Sequence, residues 1–252
     1  MTKNEFIGNL YMNILQKSIK SECQMTIGIA ALAENGKKLI VASDQMITSP
    51  IGTMSYQWQS SDIHKIFIIP EFKGAILMAG AESNARIIIN KSIDLIQSKK
   101  LRNLNDILNT FREEYVNFRI NNFTQTVLEP RGIKNLQVYY ELHNKIATDL
   151  RTGIDSSLAQ WVGGCDLILA GKNEGDVFYI YSISNPGVYL DHDLQGYVCI
   201  GAGGPHAMYH IIGSGYKKNM NESEVKSIVL EAKKKSESAP GVGTLTECQV
   251  IS

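Results

Sequence analysis

The chain lacks an excess of charge of either sign. Its 25 Lys and Arg balance 25 Asp and Glu over 252 residues, so nothing marks a surface for nucleic acid or for an anionic membrane. Cysteine is scarce: Cys23, Cys165, Cys199 and Cys248 stand far apart, with no CxxC pair and no histidine at metal-ligand spacing. That argues against a zinc site and against a disulfide framework, and a reducing interior is the simplest home for four such thiols. Long apolar runs are missing too. None approaches the roughly 20 residues a spanning helix needs, and the first 24 residues carry no apolar core of secretory-signal length. Repeats, low-complexity tracts and Pro/Gly/Ser-rich linkers are also absent. These absences lead to the expectation of a soluble, cytoplasmic protein with no membrane, nucleic-acid, metal or cofactor partner.

What is present is an ordinary globular composition, 44% hydrophobic and 20% charged, able to bury a substantial core. Residues 4–20 space apolar side chains helically, and residues 26–32 change to a short apolar run that reads as a strand. Asn35-Gly36 between two such runs is a type I′ hairpin signal, because both central positions need positive φ. A second strand–turn–strand unit joins 66–69 to 75–79 through a longer turn entered by Pro70. Amphipathic helices are expected over 83–98 and 104–122. Residues 123–160 are poorly patterned, with one possible helix over 136–146. Strands return at 167–170, 177–183, 187–190 and 197–200. Gly201 to Pro205 opens a helix to about 212, and Asn221-Glu222-Ser223-Glu224 has the spacing of a capped helix start running to about 236. A last strand covers 246–251. Strands, two helices, strands, two helices, strand: this order argues for antiparallel sheets covered by helices, an α+β class.

In the first hairpin the turn puts Thr26 opposite Gln45 and beside Asp44. In the second, Lys65 is expected opposite Ala79 or Gly80. Facing Cα atoms across antiparallel strands lie about 4.5 to 5.5 Å apart. If the two open ends meet, a hydroxyl, a carboxylate, an amine and an unobstructed glycine N–H gather at one sheet edge, the makings of a nucleophile site. Thr26 would attack a carbonyl, Lys65 would ease its deprotonation, Asp44 would hold Lys65, and the Gly80 N–H would receive the oxyanion. A base is missing. His64 points to the other face of its strand, and no GxSxG or Ser-His-Asp pattern is present. The α-amine of an N-terminal threonine would serve, with an unperturbed pKa of about 7.7 to 8.0 against about 10.4 for lysine. That requires Thr26 to begin the mature chain, either because translation starts at Met25 or because a propeptide is cleaved. Otherwise residues 1–24 are a permanent helical extension.

These residues resemble a family. Met25-Thr26-Ile27-Gly28, Val41-Ala42-Ser43-Asp44, Thr48, His64-Lys65-Ile66-Phe67 and Met78-Ala79-Gly80 look like the first half of a proteasome β-subunit-like N-terminal-nucleophile hydrolase. Cys199 to Ala207 and the helix over 221–236 are similar to its second half. The resemblance implies a four-layer αββα sandwich, two antiparallel sheets between two helical layers, over residues 25–252 with an insertion around 123–160. It implies a threonine-type peptidase with catalytic Thr26, Asp44, Lys65 and Gly80. Thr48 and Ala81 would contact a peptide through the backbone, and Ile47 and Met78 would line an apolar pocket. It also implies homo-oligomeric, ring-like assembly, peptide or unfolded-protein substrates and an ATP-dependent unfoldase as partner. The sequence departs from the pattern where supporting Ser, Asp and Ser fall at Ala202, Pro240 and Gly243. The alternative that follows is a noncatalytic, ring-forming structural subunit with its N-terminal helix retained.

Three features receive blander readings. Gly201-Ala202-Gly203-Gly204-Pro205 could suggest a dinucleotide turn, but the third glycine position is His206 and no acidic ribose ligand follows a strand about 20 residues on. His206 and His210, one helical turn apart, read as packing residues. Lys233-Lys234-Lys235 reads as a solvated helix face.

Overall fold

The computed structural model describes residues 26–51, 54–160, 164–173 and 175–252. The helix expected over 4–20, and the 1–24 extension that contains it, lie outside the described residues. Among those described, no helix is long and apolar enough to cross a membrane.

Strands β1 (Gly28–Ala33) and β2 (Lys38–Asp44) form the first hairpin in the expected register, Gly28 facing Ser43 and Ala33 facing Lys38. The turn chemistry is the reason: Asn35 and Gly36 take φ of 59° and 86°, and the Lys37 N–H closes on the Glu34 carbonyl at 3.3 Å. β10 (Tyr197–Ile200) flanks β1 and β11 (Thr246–Ile251) flanks β2, which completes a four-stranded antiparallel sheet. A five-stranded antiparallel sheet runs β5 (Ile66–Ile69), β6 (Gly74–Gly80), β7 (Cys165–Lys172), β8 (Phe178–Ser184) and β9 (Val188–Asp191) in order.

A third sheet joins the expected pair: β3 (Met46–Ile51) and β4 (Met54–Gln59) form a two-stranded antiparallel ladder of their own. The chain leaves the first sheet at Gln45. Its N–H donates to the Leu245 carbonyl (3.1 Å), and its side-chain amide donates to the carbonyls of Ser61 (2.9 Å) and Ile63 (3.1 Å). These bonds divert the following strand away from the β1–β2 ladder. The second hairpin also differs by one residue. Its loop is the four residues 70–73, with Lys73 left-handed at φ 49°, so Ile69 faces Gly74 and Lys65 falls opposite Met78 rather than Ala79 or Gly80.

Six α-helices are described: α1 (Glu82–Lys99), α2 (Leu104–Phe123), α3 (Leu136–Leu142), α4 (Thr148–Gln160), α5 (Gly204–Gly213) and α6 (Glu222–Ser236). Side-chain caps fix three starts, among them that of α3, where Asn135 accepts the Val138 N–H at 2.9 Å. Asn103 accepts the Asn105 N–H at 2.9 Å, and Asn221 and Glu224 form the reciprocal capping box that the sequence spacing predicts. α1 buries Ala85, Ile88, Ile89, Ser92 and Ile96, one helical stripe. With Leu104, Phe111 and Tyr115 of α2 it covers Ile76, Met78, Leu167 and Leu169 of the five-stranded sheet. Ala207, Ile211, Val225 and Val229 of α5 and α6 cover Ile29, Ala31, Ile40 and Ala42 of the four-stranded sheet. Between the sheets, Ala30, Leu32, Leu39 and Val41 meet Ala75, Leu77, Ile168 and Ala170. Strand alternation explains the division: successive residues of β1 and of β6 point to opposite faces, and both faces are buried.

Residues 123–158 carry a small core of their own, built from Phe123, Leu128, Ile133, Tyr139 and Ile154. The helix expected over 136–146 is α3, which ends at Leu142; α4 has no counterpart in the sequence reading. Its signal is weak because Ile154 is its one buried residue and Gly153 interrupts its interior.

Candidate active site

The β1–β2 register carries Thr26 to the side of Asp44, as its turn dictates. The Thr26 Oγ1 donates to Asp44 Oδ1 at 3.0 Å, and the Ile27 N–H donates to the same oxygen at 3.1 Å. Lys65, at the entry of β5, donates from Nζ to Asp44 Oδ1 at 2.9 Å and also to Thr26 Oγ1. The second carboxylate oxygen is not idle: the Gly243 N–H donates to Asp44 Oδ2 at 3.0 Å. Thr26, Asp44 and Lys65 are exposed by only 2%, 0% and 3%. Asp44 thus receives four donors, which is how a carboxylate with no access to water remains solvated. Burial pushes the Lys65 ammonium below its ordinary range, while Asp44, by charge and hydrogen bond, and Glu82 pull it back up.

Glycines make room around Thr26. A Cβ on Gly201, which has φ 87°, would come within 2.4 Å of the Thr26 carbonyl oxygen, and that oxygen accepts the Gly203 N–H at 3.2 Å. Gly80 has φ 93°, and a Cβ there would meet the Gly164 carbonyl oxygen at 2.2 Å. In β6 the Met78 N–H donates to the Lys65 carbonyl (3.3 Å), whereas the Ala81 N–H donates to Gly164 on the β7 side (2.6 Å). Strand alternation then directs the Gly80 N–H to the β5 side, beyond the end of that strand.

The remaining expected residues fare differently. Ile47 is half-buried in β3 opposite Trp58, and Thr48 faces Gln57. Both backbone groups of Ala81 are engaged, the N–H with Gly164 and the carbonyl with the Ala85 N–H at 3.0 Å, so a peptide could meet it only through the second lone pair of that carbonyl. Met78 is 2% exposed and packs beneath α1 and α2 with Ile76 and Ile88; it is core rather than a pocket wall in this arrangement. His64 lies outside the cluster, as expected, with its Nδ1 3.2 Å from Glu247 Oε1. His206 meets Ser238 Oγ at 3.2 Å, and His210 lies 3.4 Å from Glu231 Oε2. No group of three or more His, Cys, Asp or Glu side chains converges on a possible metal position among the described residues.

Sequence reasoning missed three contributors. Gly243, noted only as a missing serine, supplies a backbone donor to Asp44. Glu247 accepts the Lys65 N–H at 3.3 Å. Lys233, assigned to a solvated face, is 1% exposed. Helix arithmetic could have found it, since it lies four residues after Val229 and eight after Val225, on the buried stripe of α6.

Comparison with known proteins bears on the fold. No family model matches the chain, and no curated protein matches it. Solved structures do: the chain has the fold of an ancestral β-subunit. Anbu (ancestral beta-subunit) from Yersinia bercovieri superposes with a TM-score of 0.60 at 14% identity, over 90% of this chain and 81% of that chain. This corrects the resemblance drawn from the sequence. The likeness that stands is one of fold to Anbu, and membership of the proteasome β-subunit family does not follow from it. The physical reason is that a fold is held by burial pattern and packed volume, which tolerate wholesale replacement of side chains, whereas short motifs such as Met78-Ala79-Gly80 also satisfy ordinary strand packing.

Proposed function

We propose that the chain is a threonine-type peptidase, hydrolysing amide bonds with Thr26 as nucleophile after removal of residues 1–25. The observation that carries this reading is the convergence of Thr26 Oγ1, Asp44 Oδ1 and Lys65 Nζ on one another at a buried sheet edge. In the resting arrangement the hydroxyl donates to Asp44 and accepts from Lys65. Once the bond to residue 25 is cut, the freed α-amine takes the hydroxyl proton as Oγ1 adds to the substrate carbonyl carbon. The oxyanion that forms lies toward the Gly80 N–H, and the nearby Lys65 cation offsets its charge. The amine then hands the proton to the leaving nitrogen, the C–N bond breaks, and water hydrolyses the ester left on Thr26.

The finer architecture of this reading is the αββα sandwich: α1 and α2, the five-stranded sheet, the four-stranded sheet, then α5 and α6. The three clusters at their contacts support that order. Residues 25–252 are the hydrolase domain, 1–24 a propeptide or extension, and 123–160 an insertion. Anbu is an ancestral β-subunit, which supports reading this chain as one subunit of a homo-oligomeric ring. Peptides or unfolded proteins are the substrates, Thr48 and Ile47 line their path, and an ATP-dependent unfoldase supplies folded ones.

A second reading, a noncatalytic structural subunit that keeps residues 1–25, is favoured by Ala202, which stands where a supporting serine is expected. Intact-mass analysis of protein from its native host separates the two. A chain beginning at Thr26 is the expected result, and a retained 1–25 segment points to the structural subunit. Thr26→Ala should lower peptidase activity by about 10³-fold or more and abolish labelling by a peptide vinyl sulfone; labelling that survives the substitution would refute the nucleophile.

A further inference from the structure

Lys233 is a buried ammonium with all three donors used. Its Nζ donates to the carbonyls of Gly243 (2.7 Å) and Thr244 (3.0 Å) and to Glu237 Oε1 (2.7 Å). Burying such a charge is costly unless it is fully paired, and here one carboxylate and two carbonyls pair it. Both carbonyls belong to the loop between α6 and β11, and that loop delivers the Gly243 N–H to Asp44 Oδ2. The far side of the loop is held as well: Gln59 Oε1 accepts the N–H groups of Thr244 (2.7 Å) and Leu245 (3.3 Å). Only glycine fits at 243, since a Cβ there would lie 2.7 Å from both Met46 Cβ and Gln59 Oε1.

We propose that Lys233 is a positioning residue of the Thr26 site: it clamps the carbonyls of the 243–244 loop so that the Gly243 N–H is aimed at Asp44 Oδ2. With Oδ2 engaged there, Oδ1 is left to Thr26, Ile27 and Lys65. The consequence for catalysis rests on the peptidase reading; the aiming of Asp44 does not. The Lys233 charge acts in the same place. Burial is the largest influence lowering Lys65, Asp44 and Glu82 oppose it, and Lys233 adds to the lowering as a second cation. Glu247 also meets Lys65, through its backbone N–H.

The test uses the full chain with Lys233→Met. Amide hydrogen exchange in residues 241–245 should rise about tenfold or more while β2 and β7 stay protected, because one buried hydrogen bond to the loop is worth about that factor. The carbon-13 resonance of the Asp44 carboxyl should move from its wild-type position as Oδ2 loses the Gly243 donor. Vinyl sulfone labelling at Thr26 should slow about 10- to 100-fold, and the basic limb of its pH profile should move up as Lys65 loses a neighbouring cation. Lys233→Gln, which keeps an N–H donor, should fall between the two and carries the same measurements if the Met variant does not fold. Unchanged exchange together with an unmoved Asp44 carboxyl resonance would overturn the proposal whatever Thr26 does. Both changes in a chain whose wild type never labels would instead leave the positioning role standing and sink the peptidase reading.

Discussion

Two clusters in this molecule hold nearly the same chemical inventory. At the sheet edge a hydroxyl, a carboxylate and an amine meet in Thr26, Asp44 and Lys65; in the 123–158 segment a phenol, a carboxylate and an imidazole meet in Tyr139, Asp155 and His143. The hydrogen bonds are comparable, with the Tyr139 hydroxyl 2.6 Å from Asp155 Oδ1 and His143 Nε2 3.4 Å from Oδ2. Burial separates them. The Asp155 and His143 side chains are 47% and 34% exposed, whereas Asp44 has no exposure at all. Water and salt screen the outer cluster, so its charges hold two helices together and little more. The inner one sits in a low-dielectric edge where each partner strongly alters the others, and that is where a hydroxyl can become a nucleophile.

One substitution made at both carboxylates would break or sharpen this contrast. Asp44→Asn strands the buried Lys65 cation and should cost about 3 to 5 kcal/mol in urea unfolding, with activity down about 10²- to 10⁴-fold. Lys65→Met should cost less, about 1 to 3 kcal/mol, because Asp44 keeps Thr26, Ile27 and Gly243 as donors. The activity loss should match that of Asp44→Asn. Putting both substitutions in one chain should unfold less easily than Asp44→Asn alone, since no unpaired charge is left behind; a chain less stable than Asp44→Asn would contradict the assignment of its cost to Lys65. Asp155→Asn should leave vinyl sulfone labelling and global melting unchanged and only quicken amide exchange in 136–160.

The outer cluster also has the clearer pH signature. Burial first, and the Asp155 hydrogen bond second, push the Tyr139 hydroxyl up to about 12. A raised acid binds its proton more tightly when folded, so its contribution is complete below pH 10 and is lost between about pH 10 and 12. The hydrogen bond from Tyr139 is the main cause that holds Asp155 below its ordinary range, so that contribution is present above the ordinary carboxylate range and lost on acidification. Exchange in 136–160 should therefore quicken at both extremes, and Asp155→Asn should flatten the acid arm. Lys65 runs the opposite way to Tyr139. A lysine lowered in the folded state binds its proton less tightly than in the unfolded chain, so its cost is full below the folded pKa and is relieved as pH rises toward 10.5.

The contrast also marks how far the sequence could be read. The inner pair Thr26 and Asp44 was legible because Asn35-Gly36 sets a register that reaches back through β1 to Thr26, just ahead of it. Lys65 was legible as a neighbour, but its partner was misjudged by one position because Lys73 extends the loop through a left-handed residue. The β3–β4 hairpin and α4 escaped notice. One begins where Gln45 side-chain bonds divert the strand, and the other has a single buried residue to announce it. The Gly243 donor is 199 residues from the carboxylate it serves.

The sequence by itself determined the elements whose causes are local: a turn that needs two positive φ values, an Asn–Glu box that starts α6, and stripes that repeat every 3.6 residues or alternate every two. Only the tertiary structure decided which of several lysines is dehydrated, which backbone N–H meets Asp44 Oδ2, and which of two similar polar clusters is sealed from water. Those outcomes depend on surfaces brought together from distant parts of the chain. Their energies come from excluding solvent at the contact, a property that no short stretch of residues possesses alone.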